Sequence, residues 1–243
     1  MTTSGFVAGT LVHTDKGLVP IEQLKVGDRV LSKHESGEGE QAYKRVIRAF
    51  KSKEKALISY IDYCVIDEDS QTSSVIERYL FCTENHLFWT CDDNDSLHGW
   101  TISQHIGFLD GEFLFVLHDN QMAFNQSPIG WKNSVFEQDD SKITLVSSDG
   151  DDPIAIYDFN SGQPVCIGGL IYENLHPSEA KSSQDMELDS KIMQLYETGV
   201  SHPYLDYVYN LEVEDFHTYY VGRAGIWTHD ATDIATQLRP IEN

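Results

Sequence analysis

The stretch "GFVAGTLVHTDKGLVPIEQLKVGDRVLS" (residues 5–32) reads as strand, turn and strand, and its "PIEQL" is too short for more than one helical turn. Runs of the same kind recur with turn punctuation between them: "KALISYIDYCVI", "VIERYLFCT", "EFLFVLHD", "KITLVSS", "PIAIYDF", "PVCIGGLIYEN", "VYNLEVE" and "HTYYVG". They are rich in β-branched and aromatic residues, which suit a pleated, half-buried surface. The sequence therefore predicts an all-β fold. The better helix candidate is "ELDSKIMQLYETG" (187–199), with Leu188, Ile192 and Leu195 on one face and Gly199 to end it. A fainter feature is an internal echo between residues 17–30 and "GWTISQHIGFLDGEFLF" (99–115), which two related halves would explain. From about Asn125 to Val200 the chain turns loop-rich and acidic, and reads as an insertion on a smaller framework.

The 243 residues suffice for one large β domain or two ordinary ones, and 40% apolar content can fill a core. Seventeen Lys and Arg against 39 Asp and Glu leave a formal charge of −22, which repels phosphate backbones and anionic lipid. Neither nucleic acid nor a membrane is expected as a partner. No apolar run approaches the roughly 18 to 20 residues that cross a bilayer, and "MTTSGFVAGT" lacks a signal-peptide pattern. The expectation is a chain made in the cytoplasm. The four cysteines, Cys64, Cys82, Cys91 and Cys166, form no CxxC pair, which argues against a disulfide framework. Cys82, His86 and Cys91 lie near one another in sequence, but structural zinc sites bring four ligands in two tight pairs. No metal and no cofactor is expected. Trp89, Trp100 and Trp227 read as core residues.

Four stretches carry more information together than singly: residues 5–32, "TENHLFWT" (83–90), "VYNLEVEDFHTYYVG" (208–222) and "GIWTHD" (225–230). In order and content they resemble the Hint superfamily, the Hedgehog and intein self-processing domains, and especially the bacterial Hint modules of multidomain, polymorphic toxins. The resemblance covers roughly residues 5–124 and 205–230. It implies a single flattened horseshoe of short strands with its two ends close together. Residues 1–4 would then be an N-terminal flank, 5–230 the Hint domain with its insertion at 125–200, and 231–243 a C-terminal flank or the start of a downstream segment. Such a domain acts on its own chain. The resemblance further implies downstream cargo, toxin-like in kind, and export as part of a secreted bacterial effector, and it leaves the insertion unexplained.

In that family a Cys or Ser at the first position attacks the preceding carbonyl, assisted by a Thr-x-x-His motif. Thr83 and His86 match the motif. The nucleophile is missing, because position 5 is Gly5, and Ser4 lies one residue early for the role. At the far end the family's last residue, usually Asn, attacks its own carbonyl and cuts the chain. Tethering drives this step, since intramolecular attack reaches effective molarities on the order of 10⁵ to 10⁸ M. His229 and His217 match the family's assisting histidines, and the scissile junction falls between Asp230 and Ala231. Asp230 in place of Asn would close an anhydride instead of a succinimide. Asn210 and Asp215 stand as supporting residues. Ala231 offers no side-chain nucleophile, so the flanks cannot be joined.

The resemblance thus implies a cis-acting, single-turnover autopeptidase that cleaves after Asp230, with the N-terminal acyl shift disabled by Gly5. Two other readings use the same residues. One is a Hint-fold scaffold whose chemistry has lapsed and whose insertion binds a partner; the other is a zinc domain using Cys82, His86 and the convergent histidines.

Overall fold

The computed structural model describes residues 4–67, 74–91, 98–106, 113–115, 122–125, 134–138, 143–147, 155–158, 163–165 and 201–231. Its first strands are β1 (Leu11–Thr14), β2 (Gly17–Pro20), β3 (Arg29–Ser32), β4 (Ala42–Lys51), β5 (Ala56–Leu57), β6 (Ser59–Asp67) and β7 (Ser74–Cys82). There follow β8 (Leu87–Cys91), β9 (His98–Ile102), β10 (Phe113–Phe115), β11 (Met122–Asn125), β12 (Ser134–Gln138), β13 (Ile143–Ser147) and β14 (Ala155–Asp158). The last are β15 (Gln163–Val165), β16 (Ser201–Pro203), β17 (Leu205–Asp206), β18 (Tyr209–Val213), β19 (Thr218–Val221) and β20 (Ile226–His229). Among the described residues, helix is limited to two 3₁₀ turns, Ile21–Gln23 and Ser103–His105. The fold is all-β. The first of these turns is the "PIEQL" segment. The helix expected at 187–199 lies outside the described residues.

The main sheet runs in the order β18-β4-β3-β1-β19-β20-β8-β10-β11-β6-β7, with β2 added to β1 and β9 added to β8. This order is nearly a mirror about the β19–β20 hairpin. On one side β1 pairs with β2, β3 and β19; on the other β8 pairs with β9, β10 and β20. A 3₁₀ turn follows β2 and another follows β9. The echo between 17–30 and 99–115 is therefore a repeated unit of topology.

The hairpin at the centre is buried along its whole length. A strand covered on both faces carries apolar residues on each, in place of an alternation with solvent. Its register pairs Tyr219 with Thr228, Tyr220 with Trp227 and Thr218 with His229. One face joins the larger core, with Phe6, Val12, Val30, Val46, Phe88, Leu211 and Tyr219 among its buried residues. The other joins Leu87, Trp100, Tyr220 and Trp227, with Trp89 packed against them. The three tryptophans lie 4.8 to 5.1 Å apart between ring centroids, the core role read from the sequence. The alternation along β20 thus sends Thr228 to one face and His229 to the other.

Residues 125–200, read as loop-rich, contain the antiparallel strands β12 to β15, which form a second sheet with β16. Its order is β15-β14-β13-β12-β16. The runs "KITLVSS" and "PIAIYDF" supply two of these strands. Acidic stretches between them in the sequence gave the segment its loop-like composition.

Candidate active site

The turn between β7 and β8 presents Thr83 and His86 to the start of the chain. Thr83 N–H donates to the Gly5 carbonyl at 3.0 Å, and Gly5 N–H donates to Thr83 Oγ1 at 3.2 Å. His86 N–H closes the turn onto the Thr83 carbonyl at 3.1 Å. The His86 ring is fully buried, edge-on to Phe6 at 4.2 Å. Its proton position follows from its partners. Thr228 Oγ1 spends its single proton on the Leu87 carbonyl at 2.7 Å, so at 2.5 Å it accepts from His86 Nε2–H. Nδ1 is then the acceptor, and the Ser4 hydroxyl donates to it at 2.8 Å. Burial is the main cause that pushes the His86 pKa down to about 3, with His229 lowering it further and Asp230 opposing. The imidazole is a neutral base at ordinary pH.

Sequence reasoning gave Ser4 no role, yet its hydroxyl occupies the lone pair of His86. Its carbonyl accepts Asn210 Nδ2–H at 3.1 Å, while Asn210 Oδ1 accepts Tyr219 O–H at 2.7 Å and Leu211 N–H at 2.8 Å. Asn210 is thereby locked in one orientation. The chain at Gly5 runs against β18, with Phe6 and Tyr209 exchanging main-chain hydrogen bonds of 2.9 and 2.8 Å. A Cβ on Gly5 would collide with the Tyr209 carbonyl. Position 5 lacks a nucleophile and also lacks room for one.

At the other end of the domain, Asp230 is buried and held from several sides. Its N–H donates to the His217 carbonyl at 2.9 Å. A bulge between Glu212 and Val213 turns Val213 N–H out of the β4–β18 ladder and onto Asp230 Oδ2, at 2.8 Å. His217 Nδ1 lies 3.4 Å from the same oxygen, and His229 Nδ1 lies 3.5 Å from Oδ1 and 3.3 Å from the Asp230 carbonyl oxygen. The N–H of Ala231, the next residue, donates to the Leu211 carbonyl at 2.7 Å. Burial works against the charged form of His229, but hydrogen bonds and charge from Asp230, with Glu35, outweigh it, and its pKa is raised.

Glu35 was not legible as a site residue: its Oε2 meets His229 Nε2 at 2.9 Å from the β3–β4 loop. Asp215 is not brought to the site. It pairs with Lys44 at 2.9 Å on the exposed surface. Thr83, His86, Asn210, His217, His229 and Asp230 do converge, and β18 links them. Asn210 holds the Ser4 carbonyl, the next residue holds Ala231, and Val213 holds Asp230.

Among the described residues no group of three or more His, Cys, Asp or Glu could hold a metal ion. Both His86 nitrogens are already engaged, and burial pushes the Cys82 thiol up to about 12, away from the thiolate a zinc ion would need.

No family model matches the chain, and no curated protein matches it. Among solved structures it is similar to a bacterial intein-like domain from Clostridium thermocellum, at 19% identity over 94% of this chain and 99% of that one, TM-score 0.46. It is also similar to a DnaB intein from Synechocystis sp. PCC 6803, at 12% identity over 95% and 100% of the two chains, TM-score 0.47. The gp41-1 intein is similar at 17% identity over 94% and 99%, TM-score 0.41.

Proposed function

We propose that this chain is a Hint-type self-processing domain that cuts its own backbone after Asp230 and does not join its flanks. The observation that carries the reading is the buried Asp230, whose carboxylate, carbonyl and following N–H are each engaged by a separate group. In the proposed step Asp230 Oδ1 bonds to the Asp230 carbonyl carbon, and the bond from that carbon to Ala231 N breaks. His229 Nδ1–H supplies the proton that the departing nitrogen takes up. The five-membered anhydride left behind is opened by water, so the two products together weigh one water more than the precursor. His217 steadies Oδ2, and Leu211 holds the departing N–H.

The N-terminal acyl shift is absent from this proposal because Gly5 has no side chain, and Ala231 provides nothing to which an acyl group could pass. The domain acts once, on its own chain. In a longer polypeptide the released part would be downstream cargo, toxin-like in the bacterial context that the motifs suggest, and the 125–200 insertion would offer a partner surface.

Incubating the purified chain over a pH series and weighing the products tests the reading. Loss of residues 231–243, slowed by His229→Ala and His217→Ala, is the expected result; no loss at any pH removes it. The second reading, a scaffold whose chemistry has lapsed, draws its support from Gly5, where the backbone has closed over the place a nucleophile would need.

A further inference from the structure

Glu35 belongs to no motif, yet its loop is fastened so that its carboxylate meets the histidine next to the junction. Its N–H donates to the Phe216 carbonyl at 3.1 Å, and Trp100 Nε1–H donates to the Glu35 carbonyl at 3.0 Å. Two residues on, Gly37 turns with φ +81° against the Trp89 ring, where a Cβ would stand 3.0 Å from the nearest ring carbon. The His229 ring is wedged edge-on to Trp100 at 4.9 Å, with Glu35 Oε2 at its Nε2. Loop, tryptophan and histidine therefore form one assembly.

We propose that Glu35 is a positioning residue for the cleavage, accepting Nε2–H of His229 and so aiming Nδ1 at the carbonyl of Asp230. The proposal rests on the self-cutting reading above. A neutral imidazole carries one N–H, and Glu35 takes it. The other nitrogen would then turn a lone pair toward the Asp230 carbonyl oxygen at 3.3 Å and Oδ1 at 3.5 Å. Acceptors at both ring nitrogens fit only a ring with protons on both. Glu35 thus selects the imidazolium, and Nδ1–H becomes the donor that the departing nitrogen requires. This is the second-shell logic by which a partner on one ring nitrogen sets the chemistry of the other.

The charged and titratable groups around His229 agree with this. Glu35 faces it from the β3–β4 loop, and Asp230 from the end of β20. His217, from the β18–β19 turn, stands beyond Asp230; His86, from the β7–β8 turn, is neutral. Lys33 caps the neighbouring Trp227 ring at 5.7 Å. The raised pKa of His229 has the same direction.

Two measurements on the full chain separate this role from simple packing. The first is an NMR titration of the His229 ring, assigned by its loss in His229→Gln. Glu35→Gln, which can still accept Nε2–H but carries no charge, is expected to lower the His229 midpoint by about one pH unit, and Glu35→Asp to restore most of it. The second is the pH profile of tail release, whose alkaline limb should move down by the same interval in Glu35→Gln. An unchanged His229 midpoint in Glu35→Gln overturns the proposal, as does a profile that falls uniformly without shifting. If the wild-type chain never releases its tail, the proposed function falls. The ring titration then still decides whether Glu35 governs His229.

Discussion

His86 Nε2 lies 2.5 Å from Thr228 Oγ1, so the imidazole that serves the beginning of the domain is bonded to the residue just before the His229–Asp230 pair at its end. Because the Thr228 proton is committed to Leu87, this contact also fixes the tautomer of His86 and the direction of the Ser4 hydrogen bond. One hydroxyl in the central hairpin therefore sets the proton positions at the other end of the chain.

That burial gives His86 a measurable signature in pH. Its pKa falls from 6.5 when unfolded to about 3 in the fold, so between these values the unfolded chain binds the extra proton and stability declines as pH drops. The expected loss from this residue between pH 7.5 and pH 4 is about 3 kcal/mol. His229 acts in the opposite sense: its raised pKa contributes stability below 6.5 that is lost as pH rises through the folded value. Urea melts across the range check both slopes, and His86→Gln should flatten the acid one.

Asp230→Asn restores an amide nucleophile without changing the size of the side chain. Attack of the amide nitrogen on the Asp230 carbonyl carbon closes an imide, and tail release is expected to speed up by about ten- to a hundredfold. Mass spectrometry identifies the route, since the domain product should end one water lighter than the hydrolysed chain before the ring opens. A rate no faster than that of Asp230 would mean that the side chain is not the attacking group.

Gly5→Ala places a methyl group against the Tyr209 carbonyl where the two strands exchange hydrogen bonds. Relieving that collision requires backbone movement, and the expected cost is about 1 to 3 kcal/mol. Chemical denaturation of the variant beside Ser4→Ala, which adds no atoms, distinguishes crowding at position 5 from a general sensitivity of this end of the chain.

Cys82 should resist alkylation in the native state. Its thiol is buried and its pKa is pushed up to about 12, which leaves a negligible thiolate fraction at neutral pH. Timed labelling with iodoacetamide, with and without urea, measures the protection; rapid native labelling of Cys82 would contradict the described packing.

Much of this was legible because strand pattern and motif are local properties. "HTYYVG" and "GIWTHD" read as strands, the second ending at His229 and Asp230, and the faint echo of 17–30 at 99–115 corresponds to the repeated topology about the hairpin they form. The tryptophan cluster followed from size and apolarity. Glu35 escaped notice because nothing around it repeats or matches; it reaches His229 only through anchors at Trp100 and Phe216, far along the chain. Asp215 misled in the opposite way. It stands two residues from His217, but both lie in a turn at positive φ, and the backbone there points Asp215 outward to Lys44. The runs "KITLVSS" and "PIAIYDF" read as strands in their own right, while the acidic residues between them gave the segment a loop-rich average character.

Asn210 fastens the entering chain at Ser4, and its neighbour Leu211 fastens the departing chain at Ala231. Ser4 and Ala231 are thus held by neighbouring residues of one strand. Two rigid proteins fused directly to these ends would contend for the same space, so the slack of the connecting tethers, more than the identity of what they carry, decides whether both can be attached at once.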